Sequence, residues 1–223
     1  MNEIKGSGEQ EIDSYGENDK LMNEAIANLA VKVHAYKSEY GKKSIVITSC
    51  GTESGTTTIA TRLAVALSRF GYETLLVDAD LRTLTKDKDR RANQGLCDII
   101  SYGYEFDKLI KLTTADNLSF MPSGNYTGDP TLLFCSDKMS AFIDKVSETY
   151  EFVIIDCPAV TVAPDAMALF PLVDGIILVC ALDKTRKEQL KTSKTIIEPY
   201  ADKYYGLVVN SVDEQQYKRM IKE

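Results

Sequence analysis

The chain has 223 residues, 44% of them hydrophobic and 26% charged, with a formal net charge of −7. That length and composition fit one globular domain with a real core, with or without a tail. The acidic surplus argues against a general nucleic-acid or anionic-membrane surface.

Residues 1–20 are rich in acidic and small polar residues and read as a flexible tail. Met22, Ile26, Leu29, Val33 and Tyr36 then recur at helical spacing, which predicts an amphipathic helix over 21–40. Six β-rich runs follow: Ser44–Thr48, Thr74–Asp78, Leu118–Pro122, Phe152–Asp156, Gly175–Cys180 and Tyr205–Asn210. Most are apolar without alternation, as strands covered on both faces are. Helical patterns lie between them, around Ile59–Phe70, Met139–Thr149, Ala166–Phe170 and Arg186–Glu198. The alternation predicts an α/β fold, a three-layer α/β/α arrangement around a mainly parallel sheet. Residues 21–213 form this single domain and 214–223 a short C-terminal tail. His34, the one histidine, lies in the first helix without a ligand or triad partner in the pattern and reads as a packing or surface residue.

The five cysteines, Cys50, Cys97, Cys135, Cys157 and Cys180, show neither a disulfide framework nor zinc-site spacing, so free thiols in a reducing compartment are expected. No apolar run reaches bilayer length and the N-terminus is polar. A cytoplasmic location is expected, with no direct membrane insertion and any membrane association supplied by a partner.

The informative stretch is residues 48–58, Thr-Ser-Cys-Gly-Thr-Glu-Ser-Gly-Thr-Thr-Thr, between the first strand and the next helix. A strand, a glycine loop and a helix N-terminus in that order form a phosphate cradle. Against the pattern G-x-x-x-x-G-K-[ST], Gly55 takes the second glycine and Thr57 the hydroxyl that holds Mg²⁺. Cys50 takes the first glycine, and Thr56 stands where lysine belongs. Ligands of open α/β sheets bind beyond the carboxyl ends of the strands. There the second strand ends in Asp78-Ala-Asp80-Leu-Arg82, the fourth in Asp156-Cys-Pro158 and the last in Asn210. Hydroxyl and carboxylate oxygens suit magnesium, so Thr57, Asp78, Asp80 and Asp156 are candidate metal ligands. Gly55, Thr56, Thr57, Thr58 and Asn210 are the candidate nucleotide contacts.

These motifs resemble the cytoplasmic domain of bacterial tyrosine kinases of capsule and exopolysaccharide synthesis, the CpsD/CapB group, within the P-loop NTPases of MinD/ParA-like type. Leu76–Arg82 is similar to that group's second acidic motif and Phe152–Pro158 to its Walker B strand. Further matches are Gly95-Leu-Cys-Asp98, Asn117–Gly124, Asp129–Leu133, Pro164-Asp-Ala166 and Leu172–Val179. The resemblance spans roughly residues 21–213. It implies ATP or ADP with Mg²⁺ as cofactors, and Asp78 or Asp80 assisting an attacking tyrosine hydroxyl. It also implies a membrane-anchored chain-length or activator protein as partner.

Three departures from the group's pattern shape the functional expectation. The loop reads Thr52-Glu-Ser-Gly-Thr-Thr-Thr58 where the group has P-G-E-G-K-[ST]-T. The group's E-x-x-R-x-x-R interface motif keeps Glu24 but has Ala27 and Ala30 for both arginines. After Val212 a single tyrosine, Tyr217, stands where the group carries a cluster; Tyr204 and Tyr205 are expected to pack. A catalytically impaired regulator or adaptor with weak or no ATP binding is the first expectation. An active autokinase is the second, with loop N–H groups and Lys184 holding phosphate and Tyr217 as acceptor; Lys184 or Arg82 is also open as a substitute cation reaching a phosphate. A division- or partition-type ATPase switch is the third. The surviving aspartates have a plainer role open to them: Asp156 bonding the loop and Asp78 capping. The mixed-sign run Lys86–Arg91 reads as a solvated loop.

Overall fold

The computed structural model describes residues 20–41, 43–82, 94–124, 126, 128–182, 184–213 and 215–217. The expected N-terminal tail, apart from Lys20, the Lys86–Arg91 loop and most of the C-terminal tail lie outside these residues.

The described chain runs α1 (Lys20–Tyr40), β1 (Ser44–Ser49), α2 (Thr56–Arg69), β2 (Thr74–Asp78), α3 (Leu96–Tyr102), β3 (Lys111–Leu112), β4 (Leu118–Met121), α4 (Pro130–Phe134), α5 (Asp137–Thr149), β5 (Phe152–Asp156), α6 (Asp165–Leu169), β6 (Gly175–Ala181), α7 (Lys187–Ile197) and β7 (Tyr204–Asn210). The seven strands lie in the order β3-β4-β2-β5-β1-β6-β7. All pairings are parallel except β3 with β4. All six predicted strands form. The two-residue β3 and the short helices α3 and α4 carry too few residues for a period to show in the sequence.

Two apolar layers sandwich the sheet. On one face Ile26, Ala30 and Val33 of α1 and Ile59, Leu63 and Leu67 of α2 pack over Ile45, Ile47, Ile154 and Ile177. On the other, Leu96, Phe134, Met139, Ile143, Leu169 and Ile197 of the later helices cover Val46, Val77, Val153, Ile155 and Leu178. Successive strand residues point to opposite faces, so the unbroken apolar runs fill both layers. This three-layer arrangement is the one expected from the sequence.

Several of the matched segments are fasteners of this fold. Asp174 Oδ2 accepts from Lys43 N–H (2.9 Å), Ser44 N–H (2.9 Å) and Ser44 Oγ (2.8 Å), fixing the entry to β1. Although burial opposes it, these bonds hold the Asp174 carboxyl below its usual range. Gly175 beside it leaves room for the Tyr205 ring, whose Cζ would lie 2.6 Å from a Cβ there. Tyr205 stacks on Tyr36 of α1 with centroids 4.0 Å apart, so it has the expected packing role. His34 bonds Tyr72 Oη through Nδ1 at 2.9 Å and Ser38 Oγ through Nε2 at 3.3 Å, as expected of a packing residue.

Candidate functional site

β1 lies between β5 and β6, while the chain leaves it for β2 on one side and later returns to β6 and β7 on the other. The crevice at such a reversal, above the strand carboxyl ends, is where α/β sheets bind ligands. Residues 50–55 cross this crevice.

The loop is tightly braced. Ser49 Oγ and Ser54 Oγ both donate to the Gly51 carbonyl, at 2.9 and 2.8 Å. Thr161 Oγ1 donates to the Cys50 carbonyl at 2.7 Å. Gly55 has φ 82° and is the N-cap of α2, with no side chain capping the helix. A Cβ on Gly55 would collide with the Asn210 amide, which donates to the Ser54 carbonyl at 2.9 Å. Asn210 therefore does stand beside the loop, at the end of β7, as a brace on its backbone. Glu53 has φ 57°, in the left-handed region that glycine adopts without cost.

Thr56, Thr57 and Thr58 open α2, a 14-residue helix with no acidic residue in its first turn. Their position puts the positive end of the helix dipole and uncapped N–H groups at the crevice. The Thr57 hydroxyl stands beside the Asp156 carboxyl and favours its ionised form.

Asp78 and Asp156 are direct register partners at the ends of β2 and β5. Asp78 Oδ1 accepts from Asp80 N–H at 3.0 Å, and Asp80 Oδ1 accepts from Arg82 N–H at 3.0 Å. Asp78 therefore caps the turn that follows it. Burial pushes the Asp156 carboxyl up to about 7; Thr57 opposes the rise, and Asp78 and Asp80 add to it. Burial likewise raises Asp78, against hydrogen bonds from Asp80 N–H and from Ser123. Two adjacent, partly desolvated carboxylates beside a threonine hydroxyl are a donor set that fits a hard divalent cation. Among the described residues no three Asp, Glu, His or Cys side chains converge as a cage. A magnesium ion here would complete its shell with water and phosphate oxygens.

The cations suggested by the sequence fare differently. Arg82 turns away into Asp165: Nε to Oδ2 is 2.5 Å and Nη2 to Oδ1 is 2.9 Å. Asp165, with its side chain 1% exposed, also accepts from Thr131 Oγ1 at 2.9 Å. Arg82 thus serves a buried carboxylate and is corrected from a substitute phosphate cation to a structural partner. Lys184 is exposed on the turn after β6.

Ser123, Asp165 and Gln189 belong to this neighbourhood and were not singled out from the sequence. Ser123 lies in the matched Asn117–Gly124 segment, beyond the end of β4 next to β2; the strand-end rule that found Asp78 could have found it too. Its segment is clasped by α3, with Leu96 N–H on the Pro122 carbonyl (2.8 Å) and Cys97 N–H on the Ser123 carbonyl (3.0 Å). Asp165 lies in the matched Pro164-Asp-Ala166 segment, whereas Gln189 arrives through tertiary packing and leaves no spacing signal. Tyr217 is half-buried and lines a groove with Leu21, Leu29 and Leu207, so the expected free-tail acceptor sits partly packed.

The family model for the CobQ/CobB/MinD/ParA nucleotide binding domain matches residues 45–223. The chain belongs to this family. It is similar to the tyrosine-protein kinase CpsD of Streptococcus agalactiae, 27% identical over 188 residues that cover 83% of this chain and 82% of the relative. The crystal structure of the chimerical protein CapA2B2 matches with a TM-score of 0.81 at 27% identity, over 93% of this chain and 94% of that one. The septum site-determining protein MinD of Pyrococcus horikoshii, complexed with Mg-ADP, matches with a TM-score of 0.61 at 23% identity, over 75% and 69% of the two chains, a likeness of fold. The family expected from the motifs, a P-loop domain with tyrosine-kinase relatives, is the family found.

Proposed function

We propose that this chain is a catalytically impaired relative of the tyrosine kinases of capsule and exopolysaccharide synthesis, acting as a regulator or adaptor. The observation that carries the reading is the pairing of an intact carboxylate end with a depleted phosphate end. Asp78, Asp156 and Thr57 lie together at the strand ends, a donor set suited to a divalent cation, while position 56, the first residue of α2, carries a hydroxyl in place of an ammonium. A charge pair near 4 Å at an effective dielectric of about 20 is worth about 4 kcal/mol. Losing it weakens triphosphate binding and removes charge stabilisation from phosphoryl transfer. Arg82, bound to Asp165, does not replace it.

A bound Mg-nucleotide would supply the phosphoryl group and the divalent charge. For their part, the N–H groups of residues 55–58 would cradle the anion, and Thr57, Asp78 and Asp156 would orient the ion and its water. The protein works in the cytoplasm beside a membrane-anchored chain-length or activator protein; among the described residues no helix is long and apolar enough to cross a membrane. The test is phosphotyrosine on purified protein incubated with MgATP. None is expected. Phosphotyrosine that disappears in Asp78→Ala would contradict the reading and favour the second one, an active autokinase with an unusual loop, for which the preserved carboxylate geometry is the supporting observation.

A further inference from the structure

Cys50 is the first residue of the phosphate loop, one position past β1. Its N–H donates to the Val179 carbonyl at 2.9 Å, continuing the parallel ladder that pairs Ser49 with Val179. That step places Cys50 opposite Cys180 of β6. Both belong to the same apolar layer, so both side chains leave the same face of the sheet. Cys50 feels Cys180 electrostatically, and Tyr204 nearby feels both. Neighbouring strands are about 4.8 Å apart, inside the Cα range of about 4.4–6.8 Å that a disulfide spans. Cys50 lies where the strand gives way to a loop and Cys180 one residue before the end of its strand, so small shifts can bring the Cβ atoms together.

The position is consequential. Over Cys50 lies α7: its Ser193, whose hydroxyl donates to the Gln189 carbonyl at 2.8 Å, stands beside the Cys50 thiol, and Gln189 packs its amide on Gly51. We propose that Cys50 and Cys180 are an oxidisable dithiol which, closed by a peroxide, locks the first residue of the phosphate loop onto β6. The pair goes beyond the function proposed above and does not depend on whether nucleotide binds.

The chemistry balances with a peroxide as oxidant. Cys180, at 7% exposure the more accessible of the two, attacks one peroxide oxygen as thiolate, giving a sulfenic acid and releasing hydroxide. The Cys50 sulfur displaces that oxygen as water and forms the S–S bond. Two thiols lose two electrons and two protons, and one hydrogen peroxide becomes two waters. Burial raises both thiols above their ordinary range, which slows the reaction and shields the pair from casual alkylation.

The test uses the full chain carrying Cys135→Ser, which removes the exposed competing thiol and leaves four of the five. Native protein is treated with hydrogen peroxide, denatured, alkylated and digested for mass spectrometry. The expected result is the loss of two thiols, one linked peptide joining Cys50 to Cys180, and recovery of both thiols with dithiothreitol. The link is absent from Cys180→Ala and from Cys50→Ala. Amide exchange over residues 50–55 is expected to slow in the oxidised protein and recover on reduction. Four surviving thiols, links between other cysteines, or unchanged exchange in a protein that does carry the link would each overturn the proposal.

Discussion

At position 156 a carboxylate is held where it is uncomfortable, and its titration gives a signed prediction. Burial, Asp78 and Asp80 raise its pKa from 3.8 to about 7. The folded state therefore binds more protons than the unfolded state between those values. Stability falls as pH rises through that window and levels off above it. The penalty is at most about 4 kcal/mol for a shift of that size. In magnesium-free buffer, Asp156→Asn is expected to raise the melting temperature most near pH 8 and by much less near pH 5, which lies inside that window. Calorimetry across that range checks this; a gain near pH 5 that vanishes near pH 8 would contradict it. Glu53 stores a smaller strain in its positive φ. Glu53→Gly is expected to stabilise the fold by about 1 kcal/mol, read as a shift in the denaturant midpoint with unchanged slope.

Among the elements, the clasp of Arg82 on the N-terminus of α6 joins the turn after β2 to α4 and α6. The Arg82 side chain is 44% exposed, so the pair is screened on one side. Arg82→Met leaves Asp165 buried with the Thr131 hydroxyl as its remaining described hydrogen bond, and should cost about 1–3 kcal/mol. Asp165→Asn in the Arg82→Met background should recover part of that loss, since an amide carries no charge to strand. Helix α1 separates the two alanines of the altered interface motif. Ala27 is exposed, whereas Ala30 is fully buried against the core. Ala27→Arg should be tolerated. Ala30→Arg forces a guanidinium and its stem into a packed layer and should destabilise by about 3 kcal/mol or more, measured by thermal unfolding.

Across the whole molecule, the apolar runs announced every strand buried on both faces, because such strands need no help from turn chemistry. The two-residue β3 and the five- to seven-residue helices α3, α4 and α6 are shorter than the windows in which periodicity accumulates; of these only α6 was marked, through its run Ala166–Phe170. Thr57, Asp78 and Asp156 were legible because strand ends and glycine loops have sequence signatures. Ser123, Asp165 and Gln189 reach the site through packing between distant segments, and the Arg82 side chain was misdirected on paper because its buried partner lies 83 residues away. The measurement that tests the account most directly is a thermal-shift titration of the wild type and of Thr56→Lys with MgADP and MgATP, with Asp156→Ala in the Thr56→Lys background. A ligand that binds only the folded state raises the melting temperature with concentration. The account predicts little or no shift for the wild type, a clear one for Thr56→Lys, and its loss when Asp156→Ala is added. A strong wild-type shift that Thr56→Lys leaves unchanged would contradict it.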